Sequence, residues 1–123
     1  MHFILICCLL LSINCYGQKN FMKNFGGEKL DRALFLTHTS DKGYIACGYT
    51  NSFSSSNDIY LVKIDKRSNM QWQKTYGGNK MEIGWSVLEL KDKGYLLHGS
   101  TMSKDTTNQD IILLQLDTAG NVI

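Results

Sequence analysis

Proline is absent from the 123 residues, and cysteine is nearly absent past residue 15, where Cys47 alone follows Cys7, Cys8 and Cys15. Without proline, the chain reversals must lean on the eleven glycines. A single cysteine in the body of the chain excludes a disulfide framework, and it reads as a small buried hydrophobe rather than a nucleophile. An excess of one charge is also lacking: Lys and Arg number 13, Asp and Glu 11, for a formal net charge of +2. The basic residues are scattered singly, which excludes a nucleic-acid interface. With 43% hydrophobic residues the chain is not disordered. No amphipathic 3.6-residue pattern occurs, so helical repeats are excluded. Nothing in the composition resembles a catalytic signature, and the length suits one ordinary domain.

One long apolar run is present, at residues 3–13 (FILICCLLLSI). A membrane-spanning helix needs about 20 such residues, whereas the core of a signal peptide needs roughly 7 to 15. The run therefore predicts export, with residues 1–17 removed after Gly17, Gln18 as the new terminus and no transmembrane span afterwards. Only His2, rather than Lys or Arg, precedes the core. Lipidation at Cys15 is the lesser reading, because Asn14 stands where lipoprotein signals want a small residue. Expected localisation is secreted or cell-surface.

The rest of the chain says the same thing twice. At a constant offset of 51 positions, Lys23 meets Lys74, Gly26 and Gly27 meet Gly77 and Gly78, and Lys29 meets Lys80. Asp41, Lys42, Gly43 and Tyr44 likewise fall on Asp92, Lys93, Gly94 and Tyr95, and Gly48, Thr50 and Ser52 on Gly99, Thr101 and Ser103. One inserted residue moves the offset to 52, where Asp58, Ile59, Leu61, Asp65 and Asn69 match Asp110, Ile111, Leu113, Asp117 and Asn121. A unit of this size built from short strands has the dimensions of a propeller blade. Within the first unit the expected strands are 33–39, 43–50, 58–65 and 70–75, with counterparts in the second. The Asp41-Lys42-Gly43 link and its copy at Asp92-Lys93-Gly94 read as tight hairpin turns, with Gly supplying the positive φ and the Asp accepting backbone amides.

The third strand is apolar on both faces: Ile59, Tyr60, Leu61, Val62 and Ile64, then Ile111, Ile112, Leu113, Leu114 and Leu116. Both faces must then be covered, and with no helix available the cover is expected to be another sheet. A small sandwich of the two units is the plainer alternative.

The strings WQKTYGG (72–78), DKGYIACGYT (41–50), DIYLVKID (58–65) and DTAGN (117–121) together resemble a known group. They are similar to the secreted bacterial β-propeller repeats that recur as tryptophan, TYGG, TSDGGY, D-YLVK-D and GN. The departures are Phe21 for the first Trp, Phe25 for the Tyr before the glycine pair, and Lys42 and Lys93 where the group has Gly. The resemblance implies an all-β fold of two four-stranded antiparallel propeller-type blades, an incomplete propeller with its last blade truncated. It also implies export and no assigned chemistry. The expected division is a signal peptide at 1–17, an N-terminal strand at 18–24 that closes a preceding or final blade, a first repeat at 25–75 and an incomplete second at 76–123. Propellers close with about 4 to 8 blades. The chain is therefore expected to be a fragment of a longer propeller or to associate with further copies, exposing apolar surface and strand edges when alone.

Residues occupying one slot in both units read as architectural. Asp58, Asp65, Asp110 and Asp117 are expected to accept turn amides, and the glycine pairs to turn between blades. Cys47 and His98 share a slot, as do His38 and Glu89, so these positions serve packing or solvation. No zinc spacing joins them, the oxygen-rich 105–110 run lacks the glycine and Glu of a calcium loop, and no catalytic, cofactor or metal residue is expected. The tyrosines and Trp72 and Trp85 read as packing. Contact with a protein or glycan ligand is expected from the two loops that differ between units. These are Asn51, Ser52, Phe53, Ser54, Ser55, Ser56 and Asn57, then Met102, Ser103, Lys104, Asp105, Thr106, Thr107, Asn108 and Gln109. The expectation is a non-enzymatic interaction or scaffold module. Its rival is the leading propeller part of a secreted hydrolase or lyase whose active site lies beyond this chain.

Overall fold

The computed structural model describes residues 21–102 and 107–123. Its seven strands are β1 (Asp31–His38), β2 (Tyr44–Thr50), β3 (Asp58–Ile64), β4 (Met70–Tyr76), β5 (Glu82–Glu89), β6 (Tyr95–Thr101) and β7 (Asp110–Leu116). They form two antiparallel sheets, β1-β2-β3-β4 and β5-β6-β7, and no helix occurs among the described residues. The protein is all-β, and the strand bounds of the first unit fall within two residues of those expected. The expected leader, 1–17, lies outside the described residues, as do 18–20.

Repetition in sequence is repetition in structure. The β1–β2 ladder skips Leu34, and the β5–β6 ladder skips Trp85 at the same slot. Both are β-bulges, which add local twist and re-aim one side chain. In the second sheet β7 carries one isolated bridge on its outer edge, Leu116 to Val122, matching the Ile64–Met70 pair that opens β4 in the first.

The two sheets stack face to face around one core. Ile45, Cys47, Ile59 and Leu61 of the first sheet meet Val87, Tyr95, Leu97 and Leu116 of the second, with Trp72, Tyr76, Ile112 and Leu114 packed around them. Burying each such aliphatic side chain contributes about 1.5–3 kcal/mol before the entropy of ordering it is deducted. Where the sheets meet, Gly84 leaves no room for a side chain: a Cβ there would sit 2.9 Å from Ile59 Cγ2 and 3.0 Å from the Gly48 carbonyl oxygen.

The faces that meet are unlike. In the repeat alignment, Ile45, Cys47, Ile59 and Leu61 correspond to Leu96, His98, Ile111 and Leu113, which alternation places on the outer face of the second sheet. Conversely, the inner-face residues Tyr95, Ile112, Leu114 and Leu116 correspond to Tyr44, Tyr60, Val62 and Ile64, which lie on the outer face of the first sheet. One repeat thus presents its front to the back of the next, instead of two fronts meeting.

Strand β3 is buried along its whole length. A sheet covers one of its faces; the other, with Tyr60, Val62 and Ile64, is covered by Phe25 and flanked by Tyr44. The expectation of sheet on both sides therefore holds for one side only. Its copy β7 is covered on one face, leaving Ile111 and Leu113 in solvent. Residues 21–27 form no strand, so no strand runs through the described part of the expected 18–24 element.

The hairpin turns require a correction. Positive φ belongs to Lys42 (66°) and Lys93 (71°), not to Gly43 or Gly94. Lys42 N–H donates to the Thr39 carbonyl at 3.0 Å, and Thr39 N–H to the Gly43 carbonyl at 3.0 Å. Gly43 is needed for a different reason: a Cβ there would lie 2.1 Å from the Ile64 carbonyl oxygen. The lysines occupy the left-handed slot where the resembling repeats carry Gly.

Candidate functional site

Loop 51–57, and Met102 and residues 107–109 of the second loop, lie at one end of the two sheets, beside the glycine pairs, because each loop joins the end of a second strand to the start of a third. Ser103, Lys104, Asp105 and Thr106 lie outside the described residues. Both loops begin with the same bond: Asn51 N–H donates to the Leu30 carbonyl at 3.1 Å and Met102 N–H to the Met81 carbonyl at 2.9 Å. Asn51 and Ser52 are further committed to the fold. Asn51 Oδ1 accepts from Leu30 N–H at 2.9 Å, and Ser52 Oγ accepts from Lys29 N–H at 3.0 Å. Phe53 is half-exposed with its ring 5.7 Å from that of Tyr60, Ser54 Oγ donates to the Ser56 carbonyl at 2.7 Å, and Ser55 faces solvent. Asn57 carries a backbone link between the sheets, its carbonyl accepting from Glu82 N–H at 2.8 Å. Thr107, Asn108 and Gln109 are exposed. Phe53, Ser55 and the 107–109 stretch are therefore the loop positions that present side chains outward.

Under this loop end sits a carboxylate clamp that repeats and that slot-by-slot reading missed. Asp31 accepts from Gly27 N–H at 2.9 Å, from Ser52 Oγ at 3.0 Å and from Thr50 Oγ1. Its counterpart Glu82 accepts from Gly78 N–H at 3.0 Å and from Thr101 Oγ1 at 2.8 Å. Burial opposes ionisation of Asp31, but the hydrogen bonds from Thr50, Gly27 and Ser52 outweigh it and hold the carboxyl below its ordinary pKa. The signal was in the sequence as two acidic residues, Asp31 and Glu82, at the common offset with a threonine at the end of the following strand.

Of the four aspartates expected to bind turn amides, two do so. Asp65 Oδ1 accepts from Arg67 and Asn69 N–H, and Asp117 Oδ1 from Ala119 and Asn121 N–H, at 2.8–2.9 Å. Asp58 departs from the expectation: it is buried, and its Oδ1 has no hydrogen-bond partner. It lies under the second unit's glycine pair, where a Cβ on Gly77 would touch it at 2.2 Å. Asp110, in the equivalent slot, is exposed.

At the opposite end of the sheets lies a polar cleft of about 460 Å³ lined by Thr39, Ser40, Asp41, Lys63, Gln71, Glu89, Lys93 and Tyr95. Lys63 is the residue to judge here, since a buried amine can become a nucleophile. Its Nζ donates to Asp41 Oδ2 at 2.7 Å, Gln71 Oε1 at 2.9 Å and the Ile64 carbonyl at 3.0 Å. All three donors of the ammonium are used, which fixes the side chain in place. Gln71 reaches it because the β3–β4 ladder slips there, opposing Lys63 to Trp72 and Ile64 to Met70. Across the cleft, Glu89 accepts from Ser40 N–H at 2.7 Å and Ser40 Oγ at 2.5 Å, tying the first hairpin turn to the second sheet. Burial pushes the Tyr95 hydroxyl up to about 12, with Glu89 and Asp41 adding to the shift.

Cys47 is 1% exposed and free, and burial pushes its thiol up to about 12, the opposite of what a nucleophile needs. His98 is exposed; His38 stacks on Tyr44 with ring centroids 4.4 Å apart. Among the described residues no three His, Cys, Asp or Glu converge. No family model matches this chain, and no curated protein or solved structure does either.

Proposed function

We propose that this chain is an exported, non-enzymatic module of β-propeller type that acts through protein or glycan contacts at or outside the cell envelope. The observation that carries this reading is the front-to-back stacking of the two repeats. A closed two-unit sandwich hides its apolar faces by turning like faces inward, whereas unlike faces in contact define a step that can be repeated. The repeat strings that resemble secreted propeller blades, and the apolar run at 3–13, support the same reading. Chemistry finds little purchase: Lys63 is fully hydrogen-bonded, Cys47 is buried, and Asp65 and Asp117 hold turns. Contact therefore falls to the outward loop positions, Phe53 and Ser55 together with 107–109.

Two measurements test this. Expression of the full chain in a bacterial host, with mass analysis of the exported material, is expected to give a product beginning at Gln18; a cell-retained chain bearing residues 1–17 ends the export half. Screening glycan and peptide arrays with wild type and a Phe53→Ala/Asn108→Ala variant is expected to show binding that the variant loses. Binding that the variant retains in full refutes the loop assignment.

A further inference from the structure

Front-to-back stacking leaves one of the two unlike surfaces at each end of the stack, the first of them bare and the second covered in part by Phe25. One is the outer face of the second sheet, where Leu88, Ile111 and Leu113 are 51%, 78% and 61% exposed. The other is the outer face of the first sheet, where Tyr44, Tyr60, Val62 and Ile64 floor a groove of about 560 Å³ walled by Lys23 and Phe25. The repeat alignment makes these the counterparts of the two surfaces already in contact inside the chain.

Residues 21–25 add a second, independent observation. They are the counterparts of 72–76 in β4, and they sit on the first sheet as β4 sits on the second. Lys23 Nζ donates to Asn69 Oδ1 at 3.1 Å, as Lys74 Nζ does to Asn121 Oδ1 at 2.6 Å. Gly27 N–H is held by Asp31 as Gly78 N–H is by Glu82. The segment is thus docked where a fourth strand belongs, with no third strand beside it among the described residues, and Phe21 and Met22 are 54% and 92% exposed. Meanwhile β7 has a single bridge on its outer edge, at Val122. An open edge offers a row of N–H and C=O groups to any strand of the right register.

We propose that copies of this chain associate head to tail, with residues 21–25 of one copy entering the second sheet of the next as its fourth strand along β7. The occupant is a second copy because the covering surface has to match the one that already packs inside the chain, and the chain carries that surface on its other end. The β3–β4 ladder sets the register. Ile59↔Tyr76, Leu61↔Lys74 and Lys63↔Trp72 become Ile111 opposite Phe25, Leu113 opposite Lys23 and Gln115 opposite Phe21. Strand addition pairs the β7 edge, and the same step lays Tyr44, Tyr60, Val62 and Ile64 of one copy over Leu88, Ile111 and Leu113 of the other. The contact is heterologous, so it closes into a ring once the steps sum to a full turn. At two repeats per copy, a ring of about 4 to 8 blades takes two to four copies.

The inference rests on the stacking reading, but not on export or on a ligand. A chain that is exported and binds through its loops as a monomer defeats this inference and leaves that function standing. The test uses residues 18–123, which contain every described strand, with buried Cys47 left in place. Light scattering at micromolar concentration is expected to give two to four copies, and Leu113→Asp to weaken association about a hundredfold, the effect of burying one unpaired charge. Chains carrying only Lys23→Cys, mixed with chains carrying only Leu113→Cys, are expected to form a disulfide-linked heterodimer under mild oxidation. Chains carrying Lys23→Cys mixed with Ile112→Cys chains, whose cysteine lies on the other face, are expected not to. A wild-type monomer overturns the proposal, and so does an oligomer in which the 23–113 pair fails to link. The cross-link needs no destabilising variant, so a Leu113→Asp chain that does not fold leaves the test decisive.

Discussion

The Nζ of Lys63 lies 2.7 Å from Oδ2 of Asp41, and the two side chains are unequally wet, the lysine 3% exposed and the aspartate 46%. That inequality makes the two halves of the pair differ in what their removal costs. Taking the charge from Asp41 leaves a cation buried with only neutral acceptors, whereas taking it from Lys63 leaves a carboxylate that water can reach. Replacing a buried ionic side chain by an apolar one of similar length is often close to neutral. Lys63→Met is therefore expected to change unfolding stability by less than about 1 kcal/mol, and Asp41→Asn to cost about 1–2 kcal/mol, discounted for the half-exposed carboxylate. Urea denaturation of both variants measures the difference; equal losses overturn the argument.

The same pair predicts an acid dependence. Burial on its own raises the Asp41 pKa, but hydrogen bonds from Lys63, Thr39 and Gly43 N–H, with the lysine charge, hold it at about 2 against an ordinary 3.8. A folded-state pKa below the unfolded one contributes stability that is fully present above the unfolded value and is lost as pH falls through the folded value. The advantage of wild type over Asp41→Asn is expected to be constant from neutrality to about pH 5 and to shrink from about pH 4 toward pH 2. Urea midpoints across that range check it; an advantage that grows on acidification contradicts the assignment.

The carboxylate clamp ties residues 26–30 to the first sheet, and its loss is expected to act locally. Asp31→Ala strips acceptors from Gly27 N–H and Ser52 Oγ, which water can reach, and from Thr50 Oγ1, which is buried. The cost is expected to be about 1–2 kcal/mol. Amide exchange should quicken at Gly27 and Leu30 while Leu61 and Leu97, in the core between the sheets, keep their protection. Uniform loss of protection would mean that the clamp supports the whole stack.

How much of this could be read beforehand depends on whether a feature lies along the chain or between distant parts of it. The strands were legible because the repeat writes each of them twice and because β3 is apolar on both faces. The amide-binding roles of Asp65 and Asp117 were legible because donor and acceptor are two to four residues apart. Burial of Lys63 was not, since its partners Asp41 and Gln71 lie 22 and 8 positions away and Gln71 meets it only through a ladder slip. Nor was the Asp31–Thr50 contact, 19 positions apart, or the unpartnered Asp58, whose cover comes from the next repeat. Loop positions Asn51 and Ser52 read as free variation but hold the entering chain, because their acceptors face residues 29–31 across the sheet edge.

The turn at 39–43 sets two neighbouring residues at odds, and the sign of each substitution follows from backbone geometry. Lys42 is held at φ 66°, a conformation that costs an L-residue about 1–2 kcal/mol and costs glycine almost nothing. Glycine is also freer in the unfolded chain by about 0.5–1 kcal/mol, so Lys42→Gly is expected to stabilise by about 0.5 kcal/mol net. Gly43 has no positive φ to relieve; what it lacks is room, with the Ile64 carbonyl 2.1 Å from where a Cβ would stand. That oxygen belongs to the β2–β3 ladder and to the Lys63 hydrogen bond, so it cannot retreat without breaking both. Gly43→Ala is expected to cost more than about 2 kcal/mol. Thermal unfolding of the two variants should move in opposite directions from wild type, and a stabilised Gly43→Ala would show that the first hairpin yields at a point where the packing leaves it no space.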